Sequence, residues 1–196
     1  MTTTKIFLAG VLGAVAMFIW TFVAHELLPL GEAGISEIPN EDEVLAAMKS
    51  NIGKKPGLYF FPGLGLGPKA THAEQKEAMK TYATKLEKNP SGLFVYHPAG
   101  SRPFVMPKFL AIEFVTELAE ALLVVFLLAQ TRIVTFGGRL GFVLGAGILA
   151  AISTNVSYWN WYGFPAVYTA SYIFIEIVGF FLVGVVAALM FRRVTA

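Results

Sequence analysis

The sequence predicts an all-α membrane bundle of four transmembrane helices that carries a small α/β cap, of order αβαβ, on its extracytoplasmic side. The first reason is composition, because 56% of the 196 residues are hydrophobic and the mean hydropathy is +0.63. The second is that four apolar stretches each approach the ~20 residues needed to cross ~30 Å of hydrocarbon. The third is a repeated helix-and-strand pattern in the mixed segment that follows the first stretch.

The apolar stretches define the predicted spans and the division of the chain. The spans cover residues 6–28, 109–130, 136–158 and 166–191. The predicted domains are a first transmembrane helix at 1–29, an extracytoplasmic cap at 30–106, and the remaining three transmembrane helices at 107–196. We expect the first span to be retained, because its apolar stretch is too long for a signal peptide and bulky Phe22 stands where a small residue should precede cleavage.

Charge and cysteine content exclude several classes of function. The 15 Lys and Arg and 13 Asp and Glu give a net charge of +2, which is too small to indicate nucleic acid as a partner. The chain has no cysteine, so disulfides, thiolate catalysis and thiolate metal sites are excluded.

The basic residues near the span ends predict the orientation. One side of the four-span layout carries basic residues and no acidic residue. These basic residues are Lys5, Arg132, Arg139, Arg192 and Arg193. The positive-inside rule makes that side cytoplasmic. Both termini are therefore expected in the cytoplasm, and residues 30–106 outside it.

The segment at 30–106 contains an internal repeat of about 35 residues. Asn40 with Glu43, and Thr71 with Glu74, each resemble a capping box that opens a helix. Each predicted helix leads to an extended segment rich in aromatic residues, at 55–62 and at 89–98, and the two segments match with one inserted residue. Two strands alone are marginally stable, so we expect this unit to pack on the outer ends of the transmembrane helices.

Small residues predict close helix packing. Gly137, Gly141 and Gly145 form a ridge in the third span, and Gly10 and Ala14 form a shorter one in the first. Such ridges let helix backbones approach closely, either inside a bundle or between protomers.

Carboxylates inside the apolar spans are the main functional lead. Glu113, Glu117 and Glu120 lie in the second span, Glu176 lies in the fourth, and no basic residue accompanies them. A charge at bilayer depth costs at least ~2.5–3.5 kcal/mol, so such residues usually face a bundle interior or a wet cavity. No ionisable side chain occurs in the inner stretches of the four spans, at residues 7–19, 121–129, 140–151 and 178–191. The sequence therefore predicts a pocket that opens outward and is closed to the cytoplasm, which argues against a channel.

The pocket has three competing interpretations. In the first, the carboxylates are neutral or hydrogen-bonded contacts between helices, since Glu113 and Glu117 would repel each other if both were ionised. In the second, a divalent metal or another cation is bound by His25, Glu113, Glu117 and Glu176, a mixed set that suits zinc, iron or manganese. In the third, a glutamate acts as a general acid or base on a substrate in the lipid phase.

Further residues are expected to line the pocket. They are Glu26, Thr116, Glu120, Asn155, Asn160, Trp161 and Tyr172. The aromatic residues between 158 and 168 are most simply an interfacial belt. They would alternatively form one wall of a site for a lipid or quinone headgroup, with Asn160 as its polar contact.

Three segments carry a resemblance to known proteins: AHELLPLGEAGI at 24–35, GLYFFP at 57–62 and NWYGFP at 160–165. They resemble small uncharacterised bacterial inner-membrane proteins of four spans. The resemblance implies a multi-pass protein of the bacterial inner membrane, and it implies no activity and no site residues. The layout is also similar to that of claudins, but the chain lacks the paired cysteines of the claudin loop.

The function expected from the sequence is non-enzymatic. It is that of a small accessory or scaffolding protein in the lipid bilayer, either a homo-oligomer or a component of a larger membrane complex. The alternative is a membrane-embedded site for a cation, a metal or a small ligand such as a lipid or quinone, built on the His/Glu cluster. That site would be catalytic in one version, although no nucleophile or cofactor motif is recognisable.

Overall fold

The computed structural model describes residues 2–192, which fold as two compact units. One unit joins the residues up to Ser36 with those from Val105 onward, and the other is Glu37–Phe104. The elements in chain order are α1 (Thr3–Phe22, extended by a π-helical turn at Val23–Leu27), α2 (Glu41–Asn51), β1 (Gly57–Phe61), α3 (His72–Met79), α4 (Tyr82–Lys88), β2 (Gly92–Tyr96), α5 (Met106–Ala129), α6 (Phe136–Tyr162) and α7 (Ala166–Met190).

Three helices are long and apolar enough to cross a membrane, which supports a membrane protein. They are Thr3–Leu27, Phe136–Tyr162 and Ala166–Met190, with mean hydropathies of 2.4, 1.7 and 2.6. These helices correspond to the first, third and fourth predicted spans. The third runs four residues past its predicted end at 158, because Gly163 adopts the left-handed conformation (φ 70°) that commonly closes a helix.

The fourth long helix, α5, differs from the other three in the number of its charged side chains. It has 24 residues and coincides with the second predicted span, but it carries the three glutamates at 113, 117 and 120. Its first turn contains a proline. Proline lacks a backbone N–H, which costs nothing in the first turn because the N–H groups there have no hydrogen-bond partner within the helix.

The long helices pack in the spatial order α5, α1, α7, α6, with α1 between α5 and α7. Their shared core is made of small and branched side chains. Ala9, Ala14, Val125, Val143 and Val183 are fully buried in it.

Glycines at the crossings explain how the helices come so close. A Cβ on Gly10 would collide with Leu122 of α5, and a Cβ on Gly147 of α6 would overlap Phe180 of α7. The predicted ridge of Gly137, Gly141 and Gly145 lies elsewhere: these glycines are exposed, and a Cβ on any of them would meet no atom within 4 Å. The contact between α6 and α7 therefore uses Gly147 instead of that ridge.

Basic side chains at the start of α6 and the end of α7 meet aromatic rings. Arg139 is buried, donates from Nε to the Ile133 carbonyl at 3.1 Å and lies 5.8 Å from the centre of the Phe191 ring. Arg192 lies 6.0 Å from the centre of the Phe136 ring. Arg193, which also entered the orientation argument, lies outside the described residues.

The second unit contains the two matching extended segments, and the structure pairs them with each other. β1 and β2 form an antiparallel sheet in which Gly57 pairs with Tyr96 and Phe61 pairs with Gly92. The Tyr59 and Phe94 rings stack across the strands at 5.5 Å. The two halves of the repeat therefore complete one sheet.

Two details of the second unit differ from the prediction. Thr71 and Glu74 do form a capping box, but Asn40 has a left-handed backbone (φ 53°) and makes no cap bond with its side chain. The second predicted helix is divided into α3 and α4, so the order is αβααβ. The Thr81 hydroxyl donates to the Ala78 carbonyl at 3.3 Å, and a side chain that competes in this way for a backbone acceptor favours a helix break.

Candidate functional site

A cavity of about 520 Å³ opens in the first unit among α1, α5, α6 and α7. The α1 wall includes Thr21, His25 and Glu26. The α5 wall provides Glu113, Thr116, Glu117 and Glu120. Across from α5 lie Asn155 of α6 and Tyr172 and Glu176 of α7.

The cavity and the apolar core occupy opposite halves of the helices. On α5 the cavity takes residues 109–120, and the buried core begins at Ala121. On α7 the cavity takes residues 172–176, and the core begins at Phe180. The cavity is therefore closed at one end by tightly packed apolar side chains.

The end of α1 is shaped to present His25. Its last turn widens into a π-helix at Val23–Leu27 before Pro29, and π turns are frequent at functional sites. Nδ1 of His25 lies 2.9 Å from the Thr21 carbonyl, one turn earlier. The ring meets Tyr172 edge-on at 6.0 Å and lies against Gly31, where a Cβ would overlap the imidazole.

Glu117 is the most buried ionisable group of the cavity. Its side chain is only 4% exposed, and the Thr21 hydroxyl donates to Oε1 at 2.6 Å. The other carboxylate oxygen, Oε2, is buried and has no hydrogen-bond partner. Because a buried polar atom without a partner costs about 1–3 kcal/mol, this oxygen marks a position where a hydrogen-bond donor is missing.

A second carboxylate is held on the opposite wall. The buried amide of Asn155 donates from Nδ2 to Oε2 of Glu176 at 3.1 Å and to the Ala151 carbonyl at 3.0 Å. The amide therefore fixes Glu176 from α6 although Glu176 belongs to α7.

The ionisable side chains that line the cavity are acidic apart from one histidine and one tyrosine. Among the residues that line the cavity, five are glutamates and one is histidine, and none is lysine or arginine. The lining thus offers many hydrogen-bond acceptors and no fixed positive charge. An arrangement of this kind can hold a cation or a group with several N–H or O–H donors.

Most residues nominated from the sequence reach this cavity. His25, Glu113, Glu117 and Glu176 all line it, and so do Glu26, Thr116, Glu120, Asn155 and Tyr172. Asn160 and Trp161 do not, and Trp161 is 76% exposed. Because α6 remains helical to Tyr162, both residues point more than ~100° away from Asn155 around the helix axis. Asn160 therefore does not supply the polar contact expected for a lipid or quinone headgroup.

The four residues proposed for a metal share the cavity without forming a close cluster. Among residues 2–192, no three His, Asp or Glu side chains are grouped so that they could hold a metal ion. A metal at this site would require the glutamates to change rotamer.

Thr21 is the main site residue that the sequence argument missed. It precedes His25 by four residues, so it lies on the same face of α1, and this spacing could have identified it. The aromatic lining from Phe18, Phe22 and Phe109 was also missed, because phenylalanines in an apolar span carry no signal that separates a cavity wall from a lipid-facing surface.

Comparison with known proteins gives no relative: no protein-family model, no curated protein and no solved structure matches this chain. A function must therefore be argued from the cavity itself.

Proposed function

We propose that this protein is a membrane-embedded binding protein for a small cationic ligand, which it holds in the cavity beside Glu117. The observation that carries the proposal concerns Glu117, which lines the cavity with four other glutamates and whose buried Oε2 atom lacks a hydrogen-bond partner. A ligand that brings a positive charge and a donor to this oxygen would satisfy it and balance the charge of the lining at once.

The binding proposal includes α5 as a fourth membrane span. A helix of 24 residues is about 36 Å long, which exceeds the ~30 Å hydrocarbon core. Its most buried glutamate, Glu117, is shielded by its contact with α1, and Glu120 is half-buried beside the cavity. The packing of α5 on α1 thus supports placing both helices at the same depth.

The proposed orientation keeps both termini in the cytoplasm of a bacterial cell. Lys5, Arg132, Arg139 and Arg192 belong to the ends of the helices where the apolar core lies, and the positive-inside rule assigns that side to the cytoplasm. The cavity then opens toward the outer side of the inner membrane, and the segment between α1 and α5 is extracytoplasmic.

An accessory or scaffolding role is a second candidate. One observation favours it: the glycines at 137, 141 and 145 form a small-residue face on α6 that no other helix within residues 2–192 covers. Such a face suits close contact with another transmembrane helix, in a homo-oligomer or in a larger complex. A ligand site and a partner helix are compatible, since the cavity and this face lie on different residues of α6.

The test of the proposed function is ligand-induced stabilisation of the purified protein in a non-ionic detergent. The cations to be compared are sodium, calcium, manganese and zinc as chlorides, and tryptamine as its hydrochloride. At one hundred times its Kd a bound ligand adds about 2.7 kcal/mol, which corresponds to a rise in Tm of about 5–10 °C for a chain of this size.

The matched variants are Glu117→Gln, inside the cavity, and Glu87→Gln, which makes the same change of charge on an exposed residue of α4. We expect stabilisation by at least one cation in the wild type and in Glu87→Gln, and its loss in Glu117→Gln. If no cation stabilises the wild type, or if the effect survives in Glu117→Gln, the proposed function is wrong.

A further inference from the structure

We infer that the ligand of this cavity is an organic ammonium ion with an apolar, aromatic body. This inference rests on the proposed function and specifies its ligand. The most informative residue is Glu117, which lines the cavity and whose acceptor atom Oε2 is buried and without a hydrogen-bond partner.

The size of the cavity favours an organic molecule. Its volume of about 520 Å³ falls in the range of about 300–1,000 Å³ that is typical of sites for small organic ligands. A metal ion would occupy a very small part of this space, and the rest would need to be filled by side chains or water.

The placement of the carboxylates also favours an ammonium group over a metal. Metal sites draw several ligand atoms onto one centre, commonly four for zinc and six to eight for calcium. Here Thr21 already occupies one oxygen of Glu117, and Asn155 occupies one oxygen of Glu176 on the opposite wall. Each carboxylate keeps its second oxygen for a further donor, and an ammonium ion supplies up to three N–H donors that can point in different directions.

The apolar part of the lining accounts for the ligand body. Phe18 and Phe22 of α1, Phe109 and Leu110 of α5, and Ile175 of α7 line the same cavity as the glutamates. Phenyl rings contact flat apolar groups favourably and also attract cations through their faces. Lysine and arginine are absent from the lining, so nothing there repels an ammonium ion.

The test compares three ligands that share one indole skeleton. Tryptamine carries a primary ammonium, tryptophol replaces it with a neutral hydroxyl, and N,N,N-trimethyltryptamine keeps the charge without any N–H donor. Binding to the full-length protein in a non-ionic detergent is measured by isothermal titration calorimetry, with zinc and manganese chlorides titrated in parallel. Wild type, Glu117→Gln and Glu87→Gln are used, and each is first checked for a monodisperse elution profile.

We expect tryptamine to bind at least about tenfold more tightly than tryptophol, with the trimethyl compound between them, because a hydrogen bond to a charged group is worth about one to two decades of affinity. We also expect Glu117→Gln to lose this preference for tryptamine and Glu87→Gln to keep it. The comparison of tryptamine with tryptophol needs only the wild type, so it remains decisive if Glu117→Gln does not fold.

The other outcomes separate this inference from the function on which it rests. Binding of zinc or manganese that depends on Glu117, without binding of tryptamine, would overturn the inference and keep the cation site. Equal affinity for tryptamine and tryptophol would overturn the inference, because it would show that the ammonium charge of the ligand does not contribute to binding. No binding of any cation would overturn both.

Discussion

The hydroxyl of Thr21 donates a 2.6 Å hydrogen bond to Oε1 of Glu117 and thereby joins α1 to α5 at the wall of the cavity. The bond lies at the short end of the range for hydrogen bonds between two oxygen atoms. It occupies one oxygen of the carboxylate and leaves Oε2 without a partner. The same contact therefore serves both the packing of the two helices and the placement of the free acceptor.

Replacing this hydroxyl tests both roles. Thr21→Val keeps the shape of the side chain and removes the donor, so a second oxygen of Glu117 loses its partner. We expect the free energy of unfolding to fall by about 1–3 kcal/mol, the cost of leaving a buried acceptor unsatisfied. The measurement is equilibrium unfolding in mixed micelles of a non-ionic detergent and dodecyl sulfate.

Thr154→Val is the matched control for Thr21→Val. Thr154 lines the same cavity, but it is exposed, and the structure gives its hydroxyl no hydrogen bond. A loss of stability in Thr154→Val as large as that in Thr21→Val would contradict the role assigned to the bond between Thr21 and Glu117.

Two glycines of α6, two residues apart, predict opposite results. A Cβ on Gly147 would overlap the side chain of Phe180, whereas a Cβ on Gly145 would meet nothing within 4 Å. We expect Gly147→Ala to lower the free energy of unfolding by about 1–3 kcal/mol through overpacking. Gly145→Ala should be neutral or stabilising by up to about 1 kcal/mol, because alanine is the better helix former.

The same unfolding assay distinguishes the two positions, and cross-linking in native membranes adds a second readout. If Gly145→Ala is the more destabilised variant and also loses a cross-linked dimer, the exposed glycine face of α6 is used by another copy of this chain. If Gly147→Ala is as stable as wild type, the packing of α6 on α7 through Gly147 and Phe180 is wrong.

The features that can be predicted from this sequence are those set by a local pattern, such as a long apolar run or a residue that ends a helix or a strand. Long apolar runs predict α1, α6 and α7, and Pro29 and Gly163 mark the ends of α1 and α6, because helix length and termination are local properties. Glycine and proline around 57–62 and 89–98 predict the two strands for the same reason. The capping box at Thr71 is equally local, and it is present.

Other features depend on tertiary contacts and were not predictable from local pattern. Gly141 and Gly147 look alike in sequence, and only the position of Phe180 decides which of them packs against α7. Asn40 looks like a helix cap as much as Thr71 does, but its backbone is left-handed and its side chain makes no cap hydrogen bond. The pairing of Asn155 with Glu176 likewise requires the register of α6 against α7, which no periodicity supplies.

The position of His25 predicts a specific effect at Gly31. A Cβ on Gly31 would overlap the imidazole ring, and the Gly31 carbonyl accepts a 3.4 Å hydrogen bond from the Tyr172 hydroxyl. We expect Gly31→Ala to displace His25 from the cavity wall and to shift its ring signals in NMR spectra of selectively labelled protein. Gly67→Ala is the control, since its added Cβ would meet nothing within 4 Å. Unchanged His25 signals in Gly31→Ala would contradict this packing.

The capping box of α3 predicts a pH effect outside the membrane. The Thr71 amide and hydroxyl both donate to Oε2 of Glu74, at 2.7 and 2.8 Å, and these bonds lower the pKa of the carboxyl below its ordinary value of 4.5. Because the pKa is lowered in the folded state, the contribution is fully present above pH 4.5 and is lost as the pH falls through the folded pKa.

A carboxyl carbon titration followed by NMR would measure the pKa of Glu74 directly. In Thr71→Val the hydroxyl is lost and the backbone donor remains, so the pKa of Glu74 should rise part of the way back to 4.5. Thr81→Val is the control, since its hydroxyl bonds the Ala78 carbonyl and does not contact Glu74. The interpretation of the capping box fails if Thr71→Val leaves the pKa of Glu74 unchanged.

The size of the proposed ligand is tested by filling the cavity without altering its charge. Thr154 is exposed on α6 and lines the cavity, so Thr154→Trp adds a bulky ring there and keeps all five glutamates. We expect the affinity for tryptamine to fall about tenfold or more. The added ring fills part of the cavity, so the bound ligand would force neighbouring side chains out of their preferred rotamers. Ser153→Trp is the control, since Ser153 is an exposed neighbour on α6 that is absent from the lining. Binding of methylammonium should survive in Thr154→Trp, because the small ion still reaches Glu117; if both ions lose affinity equally, the indole does not occupy the space beside Thr154.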